Sequence, residues 1–408
     1  MIGGRFLKLS YCLQVIQKSI YLLIILLISC GKSQQITFGP KCRENNLLAL
    51  TKVRSFQIPV DTVQYKHFMS AVYSNDSTLY YFGLDLGRNA LDVFDVLHEH
   101  YLTTLHFSRP YTFQPITVID FFVVNPDSIM VFSDISYQWR LVTLDGVVFD
   151  NRLVMDSTIE KWHENSIIGL EPFPANIAFD PYNKYLWVPA TPAVAEGHDT
   201  FFNYPFLMAF DLPREQAIGL FGKYPFHFSP DRQTPFTQAS WFNIVAFHSA
   251  EEFTLLFNGS PYLLHYNWPK DSIVKHICIK SNYIEFPFPP FKEDFDNLTA
   301  RRDYSLQNGL YLSAPGPFGP WRYFPVRHPQ PLLRADGKRN DYYSAPWSVV
   351  VLDSAWQVVG EALFPPDIYD IYNLHNTVQG LLVSKESPNN KENEEDYLEF
   401  ELYRYKPR

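Results

Sequence analysis

The 408-residue sequence predicts an all-β fold, a β-propeller of four-stranded antiparallel blades, six in number with seven as the alternative. Three observations lead there. The stretch from Thr117 to Leu153 reads as four short strands joined by tight turns. The same alternation of strand text and turn residues recurs further along the chain. Aromatic residues make up 17% of the chain and prolines number 31, a composition suited to strands and turns. No run longer than about a dozen residues after Cys42 keeps a 3.6-residue apolar period, so helices are expected to be minor.

Within the first stretch the strands are Thr117 to Val124, Ser128 to Ser133, Tyr137 to Thr143 and Val147 to Leu153. Asn125-Pro126-Asp127 and Asp145-Gly146 supply the turns, because Asn and Asp side chains bond their own backbone and glycine tolerates positive φ. A second unit runs Asn176 to Phe179, Tyr185 to Val188 and, after a long insertion, Phe206 to Asp211. A third comprises Trp241 to Phe247, Phe253 to Phe257, Tyr262 to Tyr266 and Ile273 to Ile279; a fourth is the pair Trp347 to Asp353 and Gln357 to Ala362. At about 55–60 residues per unit, some 350 residues divide into six blades. Ser55 to Val60 and Tyr397 to Tyr405 are placed to pair and close the ring, hiding two strand edges. A pair of β-sandwiches is the rival, but it leaves the repeated four-strand spacing unexplained.

The beginning of the chain reads differently. Residues 1–29 hold Arg5, Lys8 and Lys18 and no acid, followed by an apolar run from Ile20 to Ile28, the order of a secretory signal. That run is shorter than the roughly 20 apolar residues a spanning helix needs. Leu27-Ile28-Ser29-Cys30 resembles the lipobox of bacterial lipoproteins, which implies cleavage before Cys30 and acyl chains such as palmitate on its thiol. Two or three chains, at ~0.8 kcal/mol per buried CH₂, hold far better than one. Gly31 follows, with neither an Asp nor an acidic cluster after it, which points to a periplasm-facing outer-membrane lipoprotein. The expected division is therefore a signal peptide over 1–29, lipidated Cys30 and a tether over 30–54, and a single propeller over 55–408.

Cleavage moves the formal net charge from −9 to −12, since the leader carries three basic residues and no acid. An acidic chain without a basic block lacks what nucleic acid requires. Beyond the anchor, Cys42 and Cys278 could pair in an oxidising compartment; the sequence leaves open whether they meet. Lys385 to Asp396 reads as a solvated hairpin loop.

With the strands laid out, the chain resembles an uncharacterised family of Bacteroidota lipoproteins, domain of unknown function 4221. The resemblance rests on the lipobox cysteine, the length, and the segments Trp321-Arg322-Tyr323-Phe324-Pro325-Val326-Arg327-His328-Pro329, Ser348 to Asp353 and Gly380 to Val383. It implies a six-bladed propeller in the envelope and transfers no catalytic residue.

Few residues suggest chemistry. His98-Glu99-His100 puts two imidazoles at i and i+2, without the third ligand or the spacing a metal needs, so no metal site is expected. No nucleophile elbow, P-loop or dinucleotide fingerprint occurs. The densest polar-aromatic cluster is Trp321, Arg322, Tyr323, Arg327 and His328, followed by Arg334, Lys338 and Arg339 and preceded by Arg301-Arg302. Arginine forks onto carboxylate or phosphate, and aromatic faces stack on sugars, so this cluster is the candidate ligand site. The bland alternative is a surface insertion whose arginines pair with surplus carboxylates. The insertion Pro189 to Tyr204, with His198, Asp199 and Phe201-Phe202, either meets a partner or caps a blade core. Asp120, Asp134, Asp180, Asp211 and Asp353 fall in or beside turns, where backbone bonding accounts for them.

The expectation is a non-catalytic binding propeller, membrane-anchored through Cys30, that takes a peptide, protein or anionic glycan in the envelope. An envelope hydrolase or lyase acting at the central mouth is the alternative, and a sensory or assembly partner a third. No cofactor beyond the covalent lipid on Cys30 is expected, and the catalytic residues, if any, are left unassigned.

Overall fold

The computed structural model describes residues 42–60, 67, 69–107, 118–133, 138–146, 148–149, 168–169, 177–192, 194, 201–225, 242–289, 291, 293, 297–392 and 396–407. The signal segment and Cys30 lie outside these residues, as do His198, Asp199 and Asp134. Among the described residues six four-stranded antiparallel sheets follow one another along the chain.

Blade 1 holds β2 (Met69–Ser74), β3 (Leu79–Asp85), β4 (Ala90–Asp95) and β5 (His100–His106). Blade 2 holds β6 (Val118–Asn125), β7 (Ser128–Ser133), β8 (Gln138–Val142) and β9 (Val148–Phe149), the meander expected from Thr117 to Leu153. Blade 3 is β11 (Ala178–Phe179), β12 (Tyr185–Pro189), β14 (Pro205–Asp211) and β15 (Gln216–Lys223). Beside it a short ladder pairs β10 (Ile168–Gly169) with β13 (Thr191–Pro192). Blade 4 is β16 (Phe242–Phe247), β17 (Glu252–Phe257), β18 (Tyr262–Asn267) and β19 (Ser272–Cys278). Helix α1 (Leu298–Asn308) leads into blade 5: β20 (Leu310–Tyr311), β21 (Arg322–Arg327), β22 (Trp347–Leu352) and β23 (Val358–Phe364). Blade 6 is β24 (Leu374–Thr377), β25 (Gly380–Ser384) and β26 (Tyr397–Tyr405), and its outermost strand is β1 (Leu50–Pro59).

The closure runs from Leu50 opposite Tyr405 to Pro59 opposite Tyr397, with one register shift between Lys52 and Arg54. The expected pairing of Ser55 to Val60 with Tyr397 to Tyr405 is therefore present. The strand also starts earlier, at Leu50, inside the segment read as tether, because Thr51 and Lys52 continue the ladder onto Arg404 and Tyr403.

The apolar core explains why the blades form a ring. Side chains alternate across a strand, so a strand packed between two blades must be apolar on both faces. Leu255 faces blade 3, with Trp187 and Phe253, whereas Leu256 faces blade 5, with Phe324 and Val350. Val349 and Val351 turn to Leu381 and Val383 of blade 6, while Val350 turns back to blade 4. Six such clusters fill the six seams between successive blades, the last joining Phe56 and Phe400 of blade 6 to Tyr81 and Phe94 of blade 1.

The turns share one chemistry. Asp85, Asp95, Asp211 and Asn267 each accept the backbone N–H three residues on, from Arg88, His98, Arg214 and Lys270. The following residue, Asn89, Glu99, Glu215 or Asp271, takes positive φ. Asp180 and Asp353 accept backbone N–H groups similarly, so these carboxylates are turn residues as expected, whereas Asp120 lies buried inside β6 and accepts the Phe121 N–H at 2.6 Å. Phe201 and Phe202 are buried, the first tilted and the second edge-on against Tyr224, and so cap the core of blades 3 and 4. Lys385 to Asp396 is less solvated than expected at its start. Glu386 and Ser387 are buried, and Lys385 pairs with Glu399 at 3.1 Å.

Before β1 the chain is strapped to blades 4 and 5. Cys42 is disulfide-bonded to Cys278, with Cα atoms 5.6 Å apart, which settles the pairing the sequence left open. Glu361 N–H donates to the Asn46 carbonyl and Leu48 N–H to the Glu361 carbonyl, covering the free edge of β23. No helix among the described residues is long and apolar enough to cross a membrane.

Candidate functional site

Alternate strands run in opposite directions. The first-to-second and third-to-fourth turns of every blade therefore lie at one end of the propeller, here the lower, and the remaining connections at the upper. The predicted ligand cluster is a strand, β21, rather than a surface insertion, so its residues are divided between these ends. Arg322 begins the strand and Arg327 ends it, roughly 17 Å apart at ~3.3 Å per residue. They do not form one site.

At the lower end the Arg322 guanidinium lies 4.4 Å from the Trp356 ring centroid and 5.4 Å from that of Phe318, and donates to the Asp353 carbonyl at 2.6 Å. Burial lowers its pKa. At the upper end Arg327 is fully buried. It donates to Ser305 O and Oγ at 2.8 and 2.7 Å and to the Tyr372 hydroxyl at 2.7 Å, and lies 4.3 Å from the Tyr342 ring. Ser305 is in the last turn of α1, where the aligned carbonyl dipoles favour a cation, so the helix end and the aromatic face replace a carboxylate. Arg334 pairs with Asp341 at 3.5 Å and Arg339 with Asp303, as in the bland reading of those arginines.

His328 stacks on Tyr283 at 4.5 Å and bonds Ser348 Oγ through Nε2 at 2.7 Å. Burial pulls its pKa down to about 4. Ser348 Oγ in turn donates to Glu361 Oε1 at 2.5 Å, as does Ser281 Oγ at 2.5 Å. Asn282 N–H donates to Glu361 Oε2 at 2.9 Å and Asn45 Nδ2 at 3.3 Å. Serine sits between histidine and carboxylate here, whereas nucleophilic catalysis needs histidine in the middle and an accessible hydroxyl. Ser348 and Glu361 are wholly buried, so this chain of bonds is a structural hub.

Trp321 and Tyr323 belong to a concavity at the lower end, between blades 5 and 6. It has a volume of about 170 Å³ and is lined also by Gly319, Thr377, Gln379 and Arg404. Arg404 Nε donates to the Gln379 carbonyl at 2.7 Å, and no described carboxylate lies within ion-pair distance of its Nη groups. Trp321 is held edge-on by Tyr405 at 4.8 Å. Tyr323 is fixed by its hydroxyl, which accepts from Tyr405 N–H at 3.2 Å, and burial raises its pKa. Gly380, at φ +151°, ends the β24–β25 turn where the Tyr403 carbonyl occupies the place of a Cβ. The volume holds about five waters at ~30 Å³ each, or one small ring bearing a carboxylate. Arg404 and Gln379 were not singled out from sequence: Gln379 lies in the β24–β25 turn and Arg404 on β26, and no local motif joins them to Trp321.

The His98 and His100 rings lie 6.2 Å apart between centroids. His98 Nδ1 bonds Asp95 at 2.8 Å in a turn, and Glu99 pairs with Arg54 at 2.9 Å. Among the described residues no group of three or more His, Cys, Asp or Glu side chains is placed to hold a metal.

The architecture is thus that of a six-bladed propeller with a small cationic-aromatic concavity on one end. The structure is similar to that of a DUF4221 family member from Bacteroides vulgatus, with a TM-score of 0.63 and 14% identity over 87% of this chain and 98% of that one. It is also similar to a protein of Bacteroides fragilis named as a candidate exported protein, with a TM-score of 0.51 and 10% identity over 90% of this chain and 98% of that one. At these identities the likeness is one of fold, the fold expected from the family resemblance. The sequence itself matches no family model and no curated protein.

Proposed function

We propose that this chain is an envelope lipoprotein, anchored through Cys30 in the outer membrane and facing the periplasm, whose propeller binds without catalysis. Its ligand is the carboxylate-bearing end of a peptide, protein or anionic glycan, taken into the concavity between blades 5 and 6. One observation carries the reading: Trp321 and Arg404 line the same concavity above the buried Tyr323, and no described carboxylate pairs with the Arg404 guanidinium. An aromatic wall suits a sugar or peptide plane, and the guanidinium suits a carboxylate. The lipobox at Cys30, and the exported neighbour from Bacteroides fragilis, support the location.

The test is calorimetric titration of the mature chain with glucuronate, glucose and a dipeptide with a free carboxylate. An acidic probe is expected to bind and glucose not, with Arg404→Gln weakening binding about tenfold or more, as loss of a charge-assisted hydrogen bond implies. Equal binding by Arg404→Gln, or no binding of any acidic probe, refutes the assignment.

A further inference from the structure

Among the described residues, exposed large hydrophobic side chains are not spread evenly over the blades. Six of them, Tyr283, Leu298, Leu333, Leu363, Ile368 and Tyr372, belong to the upper end of blade 5 and its connections to blades 4 and 6. Leu298 is 74% exposed and Leu333 58%. Isolated apolar residues on a surface need no explanation, but a set gathered on one end of one blade does.

The segments that carry them are fastened to each other. Arg339, at the far side of the Leu333 loop, pairs with Asp303 of α1, and Gln330 N–H donates to the Leu306 carbonyl. Arg302 of α1 lies 5.5 Å from the Tyr342 ring, which meets Tyr372 at 6.4 Å. Tyr372 is held from beneath by buried Arg327. The result is a rigid platform in which apolar tips stand among arginines and lysines. Across 279–309, 328–346 and 365–373 seven arginines and lysines stand among nine acids, so this end is mixed in charge, with basic side chains interspersed between the apolar tips.

The path of the chain adds a second, independent observation. The disulfide fixes Cys42 to Cys278 at the upper end of β19, and Asn45 N–H donates to Asn282 Oδ1 at 2.8 Å, next to Tyr283. Eleven residues lie between Cys30 and Cys42, a reach of at most ~40 Å. The polypeptide that leads to the anchor cysteine therefore leaves the propeller at the margin of the platform.

We infer that the upper end of blade 5 is a membrane-docking surface that lies against the bilayer carrying the Cys30 lipid. This rests on the anchor reading above. Leucine tips enter the headgroup boundary, aromatic rings sit at its level, and basic side chains meet lipid phosphates. The concavity between blades 5 and 6, at the opposite end, then opens away from the membrane.

The experiment uses the mature chain carrying Cys30→Ser, which has no acyl chain, sedimented with vesicles of phosphatidylethanolamine and phosphatidylglycerol. Partition onto vesicles is expected, reduced at least tenfold by Leu298→Ser with Leu333→Ser; both positions are exposed, so folding is retained and checked by unchanged thermal unfolding. No partition of the Cys30→Ser chain, or equal partition of the double variant, overturns the inference. So does a dimer in analytical ultracentrifugation that the double variant abolishes, since a second copy then occupies the surface. Incorporation of labelled palmitate at Cys30 in cells reads the anchor separately, so a missing anchor and a missing docking surface give different results.

Discussion

Replacing Glu361 by alanine is expected to cost about 4 kcal/mol of folding stability. The carboxylate is fully buried and accepts from Ser281 Oγ, Ser348 Oγ, Asn282 N–H and Asn45 Nδ2. Charge-assisted hydrogen bonds contribute ~1.5–3 kcal/mol each, but not all four are lost outright. Ser348 keeps His328 at 2.7 Å, and Asn45 keeps Asn282 at 2.8 Å. The two serine bonds and the orphaned Asn282 N–H dominate, and the sum is held near ~4 kcal/mol because neighbouring terms do not add. At ~2 °C per kcal/mol for a large domain, the midpoint of thermal unfolding falls by roughly 8 °C. Glu361→Gln retains one acceptor oxygen and turns an amide against the donors, so it falls between alanine and wild type. Because Asn45 is one of the partners, trypsin should also cut faster at Arg43 in the alanine variant. A midpoint within ~2 °C of wild type, with unchanged cleavage, refutes the hub.

The remaining predictions concern the tie, the ring and acid. Removing the disulfide with Cys42→Ser and Cys278→Ser is expected to lower stability by ~2–4 kcal/mol, below the ~5 that chain entropy gives for a separation of 236 residues; urea unfolding with and without reductant measures it, and reductant should not affect the variant. Phe400→Ala removes a fully buried ring that meets Tyr81 at 4.8 Å in the closing seam; a loss of ~3–5 kcal/mol is expected, and less than ~1 would deny that this seam is packed. Burial holds His328 down to about 4 and His375 to about 3, so both are neutral when folded and take up a proton on unfolding below the ordinary value of 6.5. Stability is then complete above pH 6.5 and falls as pH drops from there toward 4, by up to ~1.4 kcal/mol per pH unit for each imidazole. Urea midpoints across that range should flatten in His375→Asn; an unchanged slope would mean the ring is already protonated in the fold.

How much of this was legible depended on the range over which the residues act. The meander from Thr117 to Leu153 was readable because strand and turn are written in neighbouring residues, and the closure because Ser55 to Val60 and Tyr397 to Tyr405 are both strands with no other partner in sequence. Blade 1 was not assigned, although Asp85-Leu86-Gly87-Arg88-Asn89 and Asp95-Val96-Leu97-His98-Glu99 spell the same turn as Asp211-Leu212-Pro213-Arg214-Glu215. That repeat was the available signal. Arg322 to Arg327 looked like a surface cluster because charged residues stand at both ends of the segment. A propeller strand buried on both faces carries its polar residues at its ends, where the blade meets solvent, and Tyr323, Phe324 and Val326 between them fill the seams. The concavity was invisible because Trp321, Gln379 and Arg404 come from three strand ends brought together only by the pairing of blades 5 and 6.

The outermost strand of blade 6 precedes blade 1 in the chain, and its partner β26 ends at Tyr405. Nearly the whole polypeptide lies between the two halves of one ladder, so the ring cannot lock until the ribosome has added the residues facing Leu50. A nascent or threading chain therefore carries five blades without their clasp, and its first strand stays extended and unpaired. For the exported lipoprotein proposed above, such a delay keeps the ring unclasped while the chain is being threaded, since a translocation channel passes only unfolded polypeptide.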